Sequence, residues 1–144
     1  IKSKEKIKIK IPAGIDNGQT LRITDGGSAI KNGLKGDLLL SMQVKPHKIF
    51  IRKRFDVFMD FEITFSQAAL GDKVSIPTLS SEKIKIKIPK GTESGNTFRL
   101  KDKGIPFLDD PHYFGDQFVN VIVKTPRKLT KAQEKLFKEL GKLD

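Results

Sequence analysis

The side chains that could do acid–base chemistry are few in this sequence, and they form no recognisable motif. The two histidines are His47, between a proline and a lysine in a basic segment, and His112, in a polar loop. A serine–histidine–acid arrangement requires a histidine base that a carboxylate orients, and the surroundings of neither histidine have that form. We therefore expect both histidines to be structural or solvated, and the chain not to be an enzyme.

Ligands for metal ions are equally sparse. The sequence contains no cysteine, which excludes disulfides and thiolate metal sites within this chain. Asp109, Asp110 and Asp116 could attract a hard cation, but their spacing does not match a calcium-binding loop, so we expect them to solvate a loop. A phosphate-binding Gly-x-x-x-x-Gly-Lys-Ser/Thr motif is also absent. The sequence predicts no metal and no cofactor in this chain.

The net charge is strongly positive. The 144 residues include 28 lysines and arginines against 17 acidic residues, a formal charge of +11. Such an excess can serve nucleic-acid binding or solubility, and most of it is lysine, whereas arginine is the preferred residue for bidentate recognition of phosphates and bases. We favour general solvated basicity. The alternative is a basic β-domain that binds nucleic acid through residues 49–55, where aromatic and cationic side chains are interleaved.

An internal repeat is the strongest feature of the sequence. The segment Glu-Lys-Ile-Lys-Ile-Lys-Ile-Pro occurs at residues 5–12 and again at 82–89. Further residues match in order: Gly14, Gly18, Thr20, Arg22, Gly36, Asp37, Val44 and Lys45 correspond to Gly91, Gly95, Thr97, Arg99, Gly115, Asp116, Val123 and Lys124. Two copies of one supersecondary unit therefore lie in tandem. We place the first unit at residues 1–50 and the second unit at residues 51–128.

Each unit is predicted to be built from strands. Isoleucines and lysines alternate before Pro12 and Pro89, which predicts strands with one apolar and one charged face; we expect the lysines to discourage edge-to-edge pairing. Turns at residues 17–18 and 94–95 lead to return strands at 20–23 and 97–100. Nearly continuous apolar runs at 37–44 and 116–123 predict a third strand, the most buried of each unit.

The second unit has elements in front of its repeat that the first unit lacks. Residues 55–65 carry apolar side chains at every second position, which predicts a long half-buried strand that supplies much of the core. A short helical turn closed by Gly71 and a strand at 73–77 follow. The first unit therefore looks truncated at its amino-terminal side.

The end of the chain predicts a helix. Thr130 and Gln133 have the spacing of a capping box, Gly141 is a plausible stop, and one helical stripe consists of Ala132, Leu136, Phe137 and Leu140. The stripe could cover the second unit or a second chain. The predicted fold is thus mainly β, with two tandem small β-sandwich domains, the first truncated, and a short carboxy-terminal α-helix at residues 129–144.

Taken in order, these segments resemble a known family. The segment Lys-Ile-Lys-Ile-Pro-Ala-Gly-Ile-Asp-Asn-Gly at 8–18, Lys-Gly-Asp-Leu-Leu at 35–39 and Ile-Thr-Phe-Ser-Gln-Ala-Ala-Leu-Gly at 63–71 resemble the carboxy-terminal region of DnaJ-type co-chaperones. The resemblance continues through residues 88–95 and 98–104 to the terminal helix at 134–140. It covers essentially the whole chain.

The resemblance implies a chaperone role in protein folding and the heat-shock response. The family's carboxy-terminal arm binds unfolded polypeptide, dimerises, and delivers clients to the seventy-kilodalton heat-shock chaperone. The J-domain, whose His-Pro-Asp motif stimulates that chaperone's ATPase, has no counterpart here, so this chain alone should not stimulate it. The four Cys-x-x-Cys pairs of the zinc-bearing class are also absent, so we expect zinc only in a region upstream of this chain.

The resemblance also suggests functional residues. Ile7 and Leu40 match two positions of the family's peptide-binding pocket, although they could be ordinary core residues. Leu136, Phe137 and Leu140 match the dimerisation element. Residues 106–114 are longer and more aromatic than the family's usual glycine-rich loop, and they could pack on the sandwich or form a contact surface. With no signal peptide and no apolar stretch near the ~20 residues that span a bilayer, we expect a cytoplasmic protein.

Overall fold

The computed structural model describes residues 8–23 and 38–144. The structure is mainly β, with small sheets and a short carboxy-terminal helix, which confirms the predicted fold class. In chain order, the elements of the described residues are β1 (Thr20–Ile23), β2 (Leu38–Ser41), β3 (Ile51–Lys53), β4 (Asp56–Ile63), α1 (Phe65–Leu70), β5 (Asp72–Pro77), β6 (Lys83–Ile88), β7 (Thr97–Leu100), β8 (Gln117–Val123) and α2 (Lys131–Leu143).

Three sheets organise these strands. The largest has the order β3-β4-β8-β7, and its central strands β4 and β8 run parallel over seven register pairs, from Val57↔Gln117 to Ile63↔Val123. The other neighbours in this sheet pair antiparallel. Strands β5 and β6 form an antiparallel hairpin, and β1 and β2 form a separate antiparallel pair.

One hydrophobic core joins the four-stranded sheet to the β5–β6 hairpin. Alternate residues of β4 point into it, as predicted from their shared parity, and Ile76 and Ile88 of the hairpin are fully buried. The buried apolar residues are Phe50, Val57, Met59, Ile63, Ala68, Val74, Ile76, Ile88, Val119 and Val121. The hairpin therefore covers one face of the larger sheet as the second layer of a sandwich.

The two Ile-Lys segments differ. The second copy is strand β6, with exposed lysines on one face and Ile88 buried on the other. In the first copy, residues 8–12 form no strand, and Ile9 and Ile11 are 36% and 50% exposed, so the strand predicted there is wrong for its described part. The reason is pairing: β5 pairs with β6 along its whole length, whereas no described strand pairs with residues 8–12.

The third strands also differ. Every residue of β8 is buried or half-buried, as predicted. In β2, half-buried and exposed residues alternate, and Leu39 is 64% exposed, so the predicted burial is wrong there. Strand β8 lies between β4 and β7, whereas β2 pairs with β1 alone among the described residues. The return strands β1 and β7 are confirmed, and each pairs with the third strand of its unit.

Both helices begin with a capping box. Thr64 and Gln67 cap α1, which ends at Gly71 as predicted, and Thr130 and Gln133 cap α2. The predicted stop at Gly141 is wrong: α2 continues to Leu143. A glycine inside a helix costs about 1 kcal/mol relative to alanine, which is too little to end a helix whose next residues still form its hydrogen bonds.

Candidate functional site

The predicted peptide-binding residues fall on different parts of the chain. Ile7 lies outside the described residues. Leu40 lies in β2, is half-buried, and stands opposite Leu21 of β1 in the register. Leu38 shares the face of Leu40, because alternate residues of a strand point the same way, and it too is half-buried. Leu21, Leu38 and Leu40 together form a partly covered apolar surface.

The repeat shows what a fully covered version of this surface looks like. The pair Leu21↔Leu40 corresponds to Phe98↔Val119 in the second unit. Val119 is fully buried, because β4 pairs with the second edge of β8 and places Met59 beside it. Within residues 8–23 and 38–144, no strand occupies the matching edge of β2. Strand β2 therefore combines half-exposed apolar side chains with a row of backbone hydrogen-bonding groups that no strand of the described residues pairs with.

Hydrogen bonds from the preceding turn hold β2 in place. The backbone N–H of Gly18 donates to the carbonyl oxygen of Met42 at 2.8 Å, and the N–H of Val44 donates to Oδ1 of Asn17 at 3.0 Å. The second unit repeats both bonds at the matching positions, from Gly95 to Val121 at 2.8 Å and from Val123 to Oγ of Ser94 at 3.0 Å. The β1–β2 pair is thus anchored in the same way as the covered pair.

The first unit is also attached to the second. Arg52 of β3 donates from Nη1 to the carbonyl oxygen of Ile15 at 2.7 Å and from Nη2 to that of Gly14 at 2.9 Å. Its Nε lies 3.8 Å from Oδ1 of Asp16. Gly14 has a φ of +88°, and a side chain at this position would overlap the carbonyl oxygen of Pro106. The turn at residues 14–16 is therefore held between β3 and the 106–114 segment.

The 106–114 segment has two faces. A β-bridge joins Pro106 to Phe114, and the N–H of Phe107 donates to the carbonyl oxygen of Tyr113 at 2.8 Å. Phe107 packs edge-on against Phe55 with ring centroids 4.8 Å apart, whereas Tyr113 is 63% exposed. Of the two alternatives left open by the sequence, the segment packs on the second unit through Phe107, and it also contacts the first unit through Pro106.

Helix α2 exposes most of its apolar stripe. Phe137 is half-buried, and its ring lies 6.0 Å from that of Phe65 in α1 in an edge-on arrangement. Leu136 and Leu140 are 65% and 52% exposed, and Leu143 is exposed as well. Phe137 therefore contacts the second unit, one of the two predicted uses of the stripe, while Leu136 and Leu140 face outward.

The side chains of His47 and Asp110 accept local backbone hydrogen bonds. The N–H of Ile49 donates to Nδ1 of His47 at 3.0 Å, which stabilises the turn into β3. The N–H of His112 donates to Oδ1 of Asp110 at 3.3 Å within the 106–114 segment. Across the part of the chain that the structure describes, no three histidine, aspartate or glutamate side chains come together as a metal site.

Asp116 accepts hydrogen bonds on both of its carboxylate oxygens. The N–H of Asp102 donates to its Oδ1 at 3.0 Å, and Arg99 donates to its Oδ2 from Nε at 2.7 Å. The Asp102 N–H, Arg99 and the positive charge of Lys101 lower the pKa of Asp116, and partial burial opposes them. The backbone N–H of Asp116 donates to Oδ1 of Asp56 at 2.7 Å. This network closes the base of the 106–114 segment on β4.

A groove on the outer face of the four-stranded sheet was missed by sequence reasoning. Phe58 and Phe118, paired in register across β4 and β8, stack with centroids 5.0 Å apart, and Nζ of Lys53 lies 5.1 Å from the Phe58 centroid. The groove has a volume of about 590 Å³ and is also lined by Ile49 and Ile51. The opposite parity of Phe58 to the core residues of β4 was the available signal.

The segment considered for nucleic-acid binding offers no free stacking surface. Phe50 is 5% exposed, and Phe55 packs against Phe107. Arg52 is engaged with the first unit. Base stacking requires aromatic faces that are open to the ligand, so residues 49–55 do not provide the interface that their composition suggested. Within the described residues, no helix combines the length and the apolar composition of a bilayer-spanning segment.

Fold and site together define a tandem-repeat β protein with a capped terminal helix and, within residues 8–23 and 38–144, a strand that is paired along one edge only. The sequence model of the DnaJ C terminal domain matches residues 1–126. A chaperone protein DnaJ of Geobacillus sp. (strain WCH70) is 47% identical over 99% of this chain and 37% of its own length. Proteins of the same name from Ruminiclostridium cellulolyticum and Acholeplasma laidlawii are each 45% identical over 99% and 100% of this chain.

The chain therefore belongs to the DnaJ C-terminal domain family. It spans 37%, 38% and 39% of the lengths of these three relatives.

Proposed function

We propose that this chain is the client-binding and dimerisation region of a DnaJ co-chaperone, and that it holds extended, non-native polypeptide without catalysing a reaction. The observation that carries this proposal is the edge of β2 that no strand of the described residues occupies, beside the half-exposed Leu38 and Leu40. A client segment added at this edge would complete the sheet of the first unit, as β4 completes that of the second.

The chemistry of an open strand suits a ligand of variable sequence. Backbone hydrogen bonds to the edge of a sheet do not depend on the side chains of the ligand, whereas an apolar surface beside the edge selects ligands that expose hydrophobic residues. Unfolded polypeptides offer both features, because their backbone is unpaired and their core residues are exposed. We propose that Leu40, together with Ile7, forms the apolar part of this surface.

A labelled peptide rich in leucine tests the strand. Leu40→Ser should weaken its binding about tenfold, because losing most of one leucine's burial costs about 1–2 kcal/mol. Leu39→Ser is the matched control, since Leu39 is the neighbouring leucine on the opposite face of β2 and is 64% exposed. Equal losses in the two variants would contradict the proposed surface.

A second peptide experiment tests the backbone bonds themselves. N-methylation at alternate residues removes the hydrogen-bond donors of one edge of an extended peptide and leaves its side chains in place. Methylation on the bonding edge should abolish binding, whereas methylation on the other edge should leave it nearly unchanged. Equal binding of the two methylated peptides would show that the ligand does not add as a strand.

We propose that dimerisation uses the outward-facing part of α2. Leu136 and Leu140 are exposed on this helix, and Phe137, which also packs on Phe65, supports their placement. Sedimentation analysis should find dimers, and Leu136→Lys with Leu140→Lys should shift the chain to monomers. A monomeric wild-type chain at high concentration would contradict this role.

The remaining functions depend on parts of the protein beyond this sequence. We propose that a J-domain elsewhere in the protein couples client delivery to the seventy-kilodalton heat-shock chaperone, that any zinc is bound upstream, and that the protein acts in the cytoplasm. We also propose a partial first domain at residues 1–50 and a second domain at residues 51–128, followed by the dimerisation helix at 129–144. The 144-residue chain should accordingly bind peptide yet fail to stimulate the ATPase of that chaperone.

A further inference from the structure

A row of lysines stands on the outer face of the β5–β6 hairpin. Lys83, Lys85 and Lys87 occupy alternate positions of β6, and all three are exposed. Lys73 of β5 is exposed and pairs in register with Lys87. The opposite face of the hairpin carries Ile76 and Ile88 into the core, which fixes the direction in which these four lysines point. We call Lys73, Lys83, Lys85 and Lys87 the lysine row.

The charge of the lysine row is not neutralised within the described residues. The ion pairs of the described residues involve other side chains and include Arg52–Asp16, Arg99–Asp116, Lys124–Glu62 and Lys138–Glu134. Like charges placed directly across a strand pair are destabilising, and Lys73 and Lys87 are placed in that way. The arrangement therefore lowers the stability of the free protein, and an anionic partner would relieve it.

Protection of a strand edge does not account for the whole row. A single lysine on an edge strand is enough to oppose pairing with another chain. Side chains of a strand stand roughly perpendicular to the sheet, so the lysine row faces away from the hairpin rather than along its hydrogen-bonding direction. The lysine row can therefore contact a ligand that lies across the outer face of the hairpin.

We propose that the lysine row binds the phosphate backbone of single-stranded nucleic acid without reading its sequence. Alternate residues of a strand lie about 6.7 Å apart, a spacing comparable with that of consecutive phosphates in an extended nucleotide chain. Lys83, Lys85 and Lys87 lie in line along β6, with Lys73 beside Lys87 on β5, so the row matches a linear polyanion better than a flat lipid surface. Lysine offers a point charge rather than the bidentate geometry of arginine. The other residues in the register of the row are Ser75, opposite Lys85, and Pro77, opposite Lys83, and none of these residue types offers an aromatic ring on which bases could stack.

The salt dependence of binding tests this proposal. A fluorescent oligothymidylate is titrated with the 144-residue chain at several salt concentrations. Neutralisation of four phosphates on a single strand gives a slope of log K against log salt of about −3. Lys83→Gln, Lys85→Gln and Lys87→Gln combined should reduce the size of this slope by about 2.

The control removes the same charge from another surface. Lys131→Gln, Lys135→Gln and Lys142→Gln neutralise three lysines on the polar side of α2, and they should leave the slope nearly unchanged. The row variant should melt at the same or a higher temperature than the wild type, because it removes repulsion. If the combined variant loses its β-sheet circular dichroism, the three single variants are measured instead. Each should reduce the size of the slope of log K against log salt by about 0.7.

Three results would overturn the proposal. An equal reduction in the α2 control would show that binding follows total charge. An unchanged slope in the row variants would place the contacts elsewhere. If the row variants lost binding to phosphatidylserine vesicles but kept binding to the oligonucleotide, the row would contact a membrane instead. Peptide binding at β2 is measured separately and does not depend on any of these outcomes.

Discussion

The Nη2 of Arg52 donates to the carbonyl oxygen of Gly14 at 2.9 Å, so that a strand of the second unit holds the turn of the first. The matching turn of the second unit is held in another way. There the backbone N–H of Gly91 donates to the carbonyl oxygen of Ala68 in α1, also at 2.9 Å. Two copies of one turn thus depend on different partners, and the position of the proposed client-binding strand depends on the contact with Arg52.

Replacement of Arg52 should loosen the first unit selectively. Arg52→Ala removes charge-assisted hydrogen bonds to Gly14 and Ile15 and should cost about 1.5–3 kcal/mol. Hydrogen exchange should show faster exchange of the Gly18 and Met42 amides, which bond β1 and β2 to their turn, with little change in β8. Lys45→Ala removes the same charge from an exposed residue and is the control. Uniform loss of protection throughout the chain would contradict the local role of Arg52.

Gly14 and Gly91 allow backbone strain to be separated from packing. Both have positive φ, +88° and +75°, at matching positions of the repeat, but space around Gly91 is open whereas Gly14 meets Pro106. Gly91→Ala should cost about 1–2 kcal/mol, the cost of a left-handed conformation for an L-residue. Gly14→Ala should cost clearly more in urea unfolding, since the turn must also move away from Pro106. Equal costs would mean that this contact is unimportant.

Asp116 should make stability depend on pH in the acid range. Its pKa is lowered in the folded protein by the Asp102 N–H and by Arg99, so its stabilising effect is present above the unfolded pKa of about 3.9 and is lost as pH falls through the folded value. Asp116→Asn should therefore cost about 1–3 kcal/mol at neutral pH, and the difference from wild type should shrink below pH of about 4. Denaturant unfolding across pH measures this, with Asp109→Asn as the control for charge. A difference that stays constant down to the lowest pH would contradict it.

The contact between Phe65 and Phe137 should fix the orientation of α2. An edge-on aromatic pair contributes about 0.5–1.5 kcal/mol beyond its buried area, and a double-mutant cycle of Phe65→Ala and Phe137→Ala should recover a coupling energy in this range. Exchange of the α2 amides should accelerate in either variant. Leu136→Ala is the control within the helix, because its side chain is 65% exposed, and at monomer concentrations it should show no coupling to Phe65.

Sequence patterns were sufficient for features that depend on neighbouring residues. The capping box at Thr130 and Gln133, the glycine that ends α1 and the alternation in β4 all act within one element, and the structure contains them. The repeat also predicted a strand at matching positions of both units, β1 and β7, whereas the pairing of each with the third strand of its unit was found only in the structure. The capping box at Thr64 and Gln67 has the same spacing in the sequence, but it was not predicted.

What the sequence determined by itself was the class of each element and the existence of two related units, because hydrophobic period and turn chemistry are local properties. Only the tertiary structure decided which copy is covered. Identical Ile-Lys segments become a strand at β6 and no strand at residues 8–12, and Leu40 stays half-exposed where Val119 is buried. The physical reason is that a strand needs a partner to accept its hydrogen bonds. In the second unit β5 lies directly before β6 and β4 lies far in the chain from β8, whereas no strand of the described residues occupies either place in the first unit.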